Sequence, residues 1–167
     1  MSETPVEYRE RIFRTLGSHQ PLEVLQQTPA LLRDWMEAHE ISKWKQRSSS
    51  GQWSAAQVLS HLAEGELVFA YRIRMIARSS GINIQAFDQN VWIEHSTYLT
   101  DDPILAIQVI DAVRQANLAY IRSLQPNDYE NYGIHSERGK ESVRDLIRMY
   151  AGHDLNHLRQ IEERLNP

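Results

Sequence analysis

An all-α four-helix bundle with two longer connections is the fold class this sequence predicts, and three observations predict it. Only seven glycines and six prolines occur in 167 residues, while helix-favouring Leu, Ala, Gln, Glu and Arg are abundant. Four segments repeat apolar residues at helical spacing between recognisable start and stop signals. No alternating apolar run is flanked by hairpin turn residues.

The first long helix is expected from about Pro21 to Glu40, where Leu22, Leu25, Leu32, Trp35 and Met36 form an apolar stripe. A shorter helix around Pro5 to Leu16 precedes it, and "RSSSGQW" then breaks the chain. The second long helix begins after Ser54, an N-cap residue with Gln57 three positions on, as in a capping box. Ser79, Ser80 and Gly81 end it. Residues 81–101 form an irregular connector with Phe87, Trp92 and Tyr98, long enough to suggest a crossover or a functional loop. The third long helix is capped by Asp101 or Asp102, has Pro103 in its first turn and stops before Pro126. A second connector, "QPNDYENYGIHSERGKE", leads to the last helix, from Ser142 to Leu165. Residues 1–167 are read as a single domain.

Composition narrows the function. A net charge of -4 and the lack of a dense Lys/Arg run argue against nucleic-acid binding. No apolar stretch is long enough to span a membrane. With no signal-like N-terminus, the cytoplasm is the expected location. The chain has no cysteine, so neither a thiolate ligand nor a cysteine nucleophile is available from the protein itself.

Polar residues interrupt the apolar stripes. With Tyr150 as zero and about 100° per residue, His157 falls at about -20°, Asp154 at about +40° and His153 at about -60°, all inside the stripe of the last helix. With Leu62 as zero on the second helix, Glu66 falls at about +40° and His61 at about -100°, the stripe's edge. Glu64, at about -160°, is expected to face water. Burying such groups unpaired is costly, so they need partners. One answer is a hydrogen-bonded core network. The other is a metal site, because His153 and His157 at i, i+4 aim both imidazoles at one point and His61 supplies a third. Three neutral imidazoles suit zinc, nickel, iron or copper and leave positions open for substrate. Asp154 and Glu66 are then candidates to orient a histidine or to carry a proton, or else members of buried polar pairs. His19, His39, His95 and His135 lack partner spacing and are read as surface or loop residues. His95 and His135, on the connectors, could instead line a pocket.

The segments "GQWSAAQVLSHLAEGE" (51–66), "FDQNVW" (87–92) and "HSERGKESVRDLIRMYAGHDLNHLRQI" (135–161), in that order, resemble the DinB-like family, especially its metal-dependent bacillithiol transferase branch. The likeness extends over most of the chain from about residue 21. It implies a four-helix bundle with a divalent metal held at the positions of His61, His153 and His157. Zinc or nickel is expected first, iron or manganese next. Glu66 matches an acidic position common after the first histidine. Asn156 stands where many members have a histidine. The resemblance further implies a homodimer, a small-molecule substrate, and transfer of a low-molecular-weight thiol such as bacillithiol or mycothiol to an electrophile. A metal-assisted hydrolase and a non-catalytic stress-induced metal- or ligand-binding protein are the competing expectations.

Overall fold

A computed structural model describes residues 3–47 and 51–166. The elements that carry the fold are α1 (Pro5–Leu16), α2 (Pro21–Ala38), α3 (Ile41–Lys45), α4 (Ala55–Arg78), β1 (Ile82–Ile84), α5 (Gln89–His95), α6 (Thr97–Thr100), α7 (Pro103–Arg122), β2 (Tyr132–His135), β3 (Gly139–Ser142) and α8 (Val143–Leu165). The helix starts follow from their caps. Ser54 accepts from the Gln57 N–H while the Gln57 side chain accepts from the Ser54 N–H. Thr4 with Glu7 and Ser142 with Asp145 repeat this reciprocal arrangement. Asp102 accepts from the Leu105 N–H and caps α7, with Pro103 next. The predicted first long helix overruns: α2 ends at Ala38, and a separate short helix, α3, buries Trp44. Ser48, Ser49 and Ser50, in the predicted chain break, lie outside the described residues.

The four long helices α2, α4, α7 and α8 build the bundle. Packing contacts run α2–α7, α7–α4, α4–α8 and α8–α2, so two of the three consecutive pairs, α2 with α4 and α7 with α8, lie diagonally opposed, while α4 and α7 are neighbours. Of the two longer connections, the one between α7 and α8 spans a diagonal and the one between α4 and α7 joins neighbours. α1 packs outside, along α8. The approach is close at Gly152, where a Cβ would lie 2.4 Å from the Ile12 carbonyl oxygen, a clash that any side chain would create.

The connectors are more ordered than expected. β1 pairs in parallel with β2, placing Ile84 beside His135, and β2 pairs antiparallel with β3. The hairpin between β2 and β3 turns through Gly139 at φ +76°, a conformation disfavoured for other residues. These strands have three or four residues each, too short for an alternation to register in the sequence. α5 and α6 fold over α4 and cover Glu64, which accepts a hydrogen bond from Ser96. Glu64 is therefore buried, not in water as its helical angle suggests. Its angle described α4 alone and took no account of what the connector covers.

The apolar core is split into two parts. One contains Leu25, Phe69, Ile73, Ile121 and Leu146, and the other Leu32, Leu59, Leu62, Ile110 and Ile161. Along every long helix the boundary is polar or carries a carbonyl contact. Arg114 of α7 lies at its centre. Its guanidinium donates to Asp154 of α8 at 2.7 Å, to Glu66 of α4 at 2.7 Å, and to the Leu25 carbonyl of α2 at 2.7 Å. Asn117 donates to the second Glu66 oxygen at 2.7 Å and accepts from Arg74 at 2.6 Å. The Arg114, Glu66 and Asp154 side chains are 4%, 1% and 2% exposed, so water cannot replace a lost partner. Arg114→Met would leave two buried carboxylates without counter-charge. It should cost about 3–5 kcal/mol in urea unfolding, and a loss below about 1 kcal/mol would contradict the role assigned to the cluster.

Candidate metal centre

Three histidines meet beside this polar layer. His61 projects from α4, and His153 and His157 from consecutive turns of α8. One ring nitrogen from each lies within 4.8 Å of the other two. His61 Nε2 and His153 Nε2 are 2.9 Å apart. Two nitrogens each about 2.1 Å from one ion, at a right angle, would stand about 3.0 Å apart, so the His61–His153 pair stands at the separation of two ligands of a single small divalent ion. Gln160 Oε1 lies 2.9 Å from His157 Nδ1, so Nδ1 carries the ring proton and Nε2 keeps its lone pair. Trp53 packs against His61 with ring centroids 5.4 Å apart.

Burial keeps all three rings neutral, the form in which imidazole is a ligand. It lowers the His61 pKa to about 3, with the His157 charge adding to the effect. His157 falls to about 4 from burial, against the opposing pull of its Gln160 bond and the Asp154 charge. His153 lies well below its ordinary value, again from burial first and then from its two histidine neighbours. His61 and His153 line a cavity of about 390 Å³, together with Gly65, Arg72, Phe87 and Tyr150. His157 is not among the residues that line it, so two of the three imidazoles reach the cavity wall. Burial raises the Tyr150 phenol to about 12, against the pull of Arg72 and Arg138, so it stays protonated.

The structure thus brings His61, His153 and His157 together. It gives Glu66 and Asp154 to Arg114, and among the described residues no hydrogen bond joins either carboxylate to a histidine. Asn156 Oδ1 accepts from Arg11 at 3.0 Å and ties α1 to α8. His19 and His95 are exposed and His39 is half-buried. His135 departs from its reading as a surface or loop residue: it is 1% exposed, on β2, and lines the cavity. Its Nδ1 accepts the Glu137 N–H at 3.2 Å. Arg72 and Tyr150 also line the cavity, and the sequence marked neither as functional, because a basic residue or a tyrosine on a helix is ordinary by itself.

Burial, with the charges of Arg138 and Arg72 helping and Glu141 opposing, lowers the His135 pKa from 6.5 to about 4. The unfolded chain takes up this proton below about pH 6.5 while the fold refuses it until about pH 4. The folded state therefore keeps its full stability above about pH 6.5 and loses part of it as the pH falls towards 4. His135→Gln should flatten the pH dependence of the melting temperature over that interval, and an unchanged slope would refute the buried, neutral assignment.

Comparison with known proteins agrees with this architecture. The model of the DinB superfamily matches residues 24–161. OB0782 of Oceanobacillus iheyensis is 30% identical over 113 residues, covering 67% of this chain and 64% of that relative's length. YfiT of Bacillus subtilis is 23% identical over 144 residues, covering 85% of this chain and 80% of YfiT. The solved structure of YfiT, described as "a probable metal-dependent hydrolase with an unusual four-helix bundle topology", superposes with a TM-score of 0.76 at 20% identity, over 87% of this chain and 85% of that one. With a family model matched along most of its length and the bundle fold in common, the chain belongs to the DinB superfamily.

Proposed function

We propose that His61, His153 and His157 hold one divalent metal ion and that the protein is a metal-dependent S-transferase, joining a low-molecular-weight thiol to an electrophilic small molecule. The observation that carries this reading is the convergence of three neutral imidazoles on one point at the wall of a cavity of about 390 Å³. A divalent ion there supplies positive charge that holds a thiol as its thiolate near neutral pH. Gln160 fixes the ring orientation of His157, and burial keeps protons from competing for the ligand nitrogens. The chain has no cysteine, so the sulfur has to come from a separate thiol. The thiol releases its proton to solvent, and the new bond joins that sulfur to the electrophilic carbon, whose leaving group departs with the bonding pair. Glu66 and Asp154 are both engaged by Arg114, which leaves neither free to take a proton from water. Zinc or nickel is the expected ion, with iron or manganese next.

Metal-assisted hydrolysis is the second reading, and the description of YfiT favours it. Metal-loaded protein offered a bimane electrophile with a panel of small thiols should give metal-dependent conjugation. Turnover of an ester or amide panel without thiol would favour hydrolysis instead.

The metal assignment has its own test. His153→Ala and His157→Ala should each abolish metal uptake by elemental analysis of untagged protein while leaving helical circular dichroism near that of the parent. Undiminished uptake in either variant would remove the site. Chelation should empty the site without unfolding the bundle, because the Arg114 cluster and both apolar clusters need no ion. Unfolding on chelation would mark the histidines as structural.

A further inference from the structure

Two arginines are fully buried, Arg72 at 6% and Arg114 at 3% exposure. Arg114 has two carboxylates. Among the described residues Arg72 has none within ion-pair distance. Among the described residues its hydrogen bonds run from Nη2 to the Gln85 carbonyl at 2.6 Å and to the Tyr150 hydroxyl, which leaves several of its five N–H donors unused. Its nitrogens are not among the buried polar atoms that lack a partner, so the free donors open on the cavity it lines. The neighbouring Arg138 is held by Glu141 at 2.6 Å and is not available in the same way.

A buried guanidinium without a counter-ion is destabilising unless something else supplies the charge. The planar fork of arginine matches a carboxylate in geometry and charge. Phe87 lies beside it, with its ring centroid 5.7 Å from the guanidinium carbon. Arg72 follows His61 by eleven residues on α4, three turns along the same face and about 16 Å along the axis. Its side chain leans back towards the helix start, as helical side chains do. Gly65 lies between the two positions and leaves the floor of the cavity low.

We propose that this cavity takes a small carboxylate-bearing molecule, with its carboxylate on the Arg72 guanidinium, its apolar body against Phe87 and its opposite end towards the histidine cluster. The identity of the reacting end rests on the metal reading above. The carboxylate subsite does not.

Benzoate is the probe, with benzamide as its uncharged isostere. Binding is measured by titration calorimetry on metal-loaded and on chelated protein. Benzoate should bind both forms at least about tenfold more tightly than benzamide, the difference expected when a charge-assisted pair is lost. Arg72→Met and Arg72→Gln should each abolish that preference. Arg72→Met should lower the melting temperature by only a few degrees, because the lost Gln85 bond and Phe87 contact are offset by removal of a buried charge without a counter-ion. Arg72→Gln provides the binding result if the methionine variant does not fold. Equal binding of the two probes by the parent, or an intact preference in the folded variants, would overturn the proposal. So would a larger drop in melting temperature for Arg72→Met with benzoate binding unchanged. Carboxylate preference in chelated protein, together with no metal uptake by the parent or undiminished uptake by either histidine variant, would overturn the metal reading and leave this subsite standing. Metal uptake without carboxylate preference would do the reverse.

Discussion

The buried ion cluster around Arg114 is the constraint on which the rest of the molecule depends. One guanidinium touches α4, α8 and α2 from its place on α7, so a single side chain joins all four long helices. Such a cluster is weak evidence for net stability, since apolar packing of the same volume can do as well. It does impose a register. Sliding one helix by a turn would leave a charge buried and unpaired, at a cost that apolar residues sliding past one another would not incur. The diagonal order of the bundle brings α4 and α8 side by side, and the register then sets His61 level with His153 and His157.

The histidine cluster and the ion cluster are adjacent and use opposite electrostatics. The ion cluster pairs its charges internally away from the surface, with Arg114 Nε alone in the cluster lacking a partner among the described residues. The histidines are kept uncharged by burial and by one another. A guanidinium this close to a ligand set would repel a cation if it were unpaired. With two carboxylates on it, Arg114 sits within a group whose charge is at least balanced, so the neighbouring imidazoles can accept a positive ion. Glu66 and Asp154 thereby neutralise a buried cation beside the histidines without hydrogen-bonding to any of them.

The connectors provide the other wall. α4 and α8 alone would place the histidines on an open groove. The strand β2 brings His135 to that groove, and residues following β1 bring Phe87. α5 and α6 close over α4 further along, with Glu64 beneath them. The cavity is therefore built half from rigid helices that hold the ligand atoms and half from shorter elements that determine what fits beside them, a division common in enzymes.

Much of this was determined by local sequence. Ser54 with Gln57, Ser142 with Asp145, and Asp102 before Pro103 mark helix starts because capping is satisfied within four residues. The inward placement of His153, Asp154 and His157 followed from helical periodicity, since their own helix carries the pattern. What tertiary structure alone decided were the partners. Arg114 looks like any basic residue on an amphipathic helix, and nothing within a few positions shows that Glu66 and Asp154 converge on it from 48 and 40 residues away. Glu64 was misplaced, and His135 was placed at a pocket only as the second of two readings, for the same reason: their burial comes from segments that pack over them, and periodicity measures only the helix or strand in which a residue lies. Capping and periodicity are short-range effects and legible in order along the chain. Pairing of buried charges is set by distance in the folded core, which chain order does not encode.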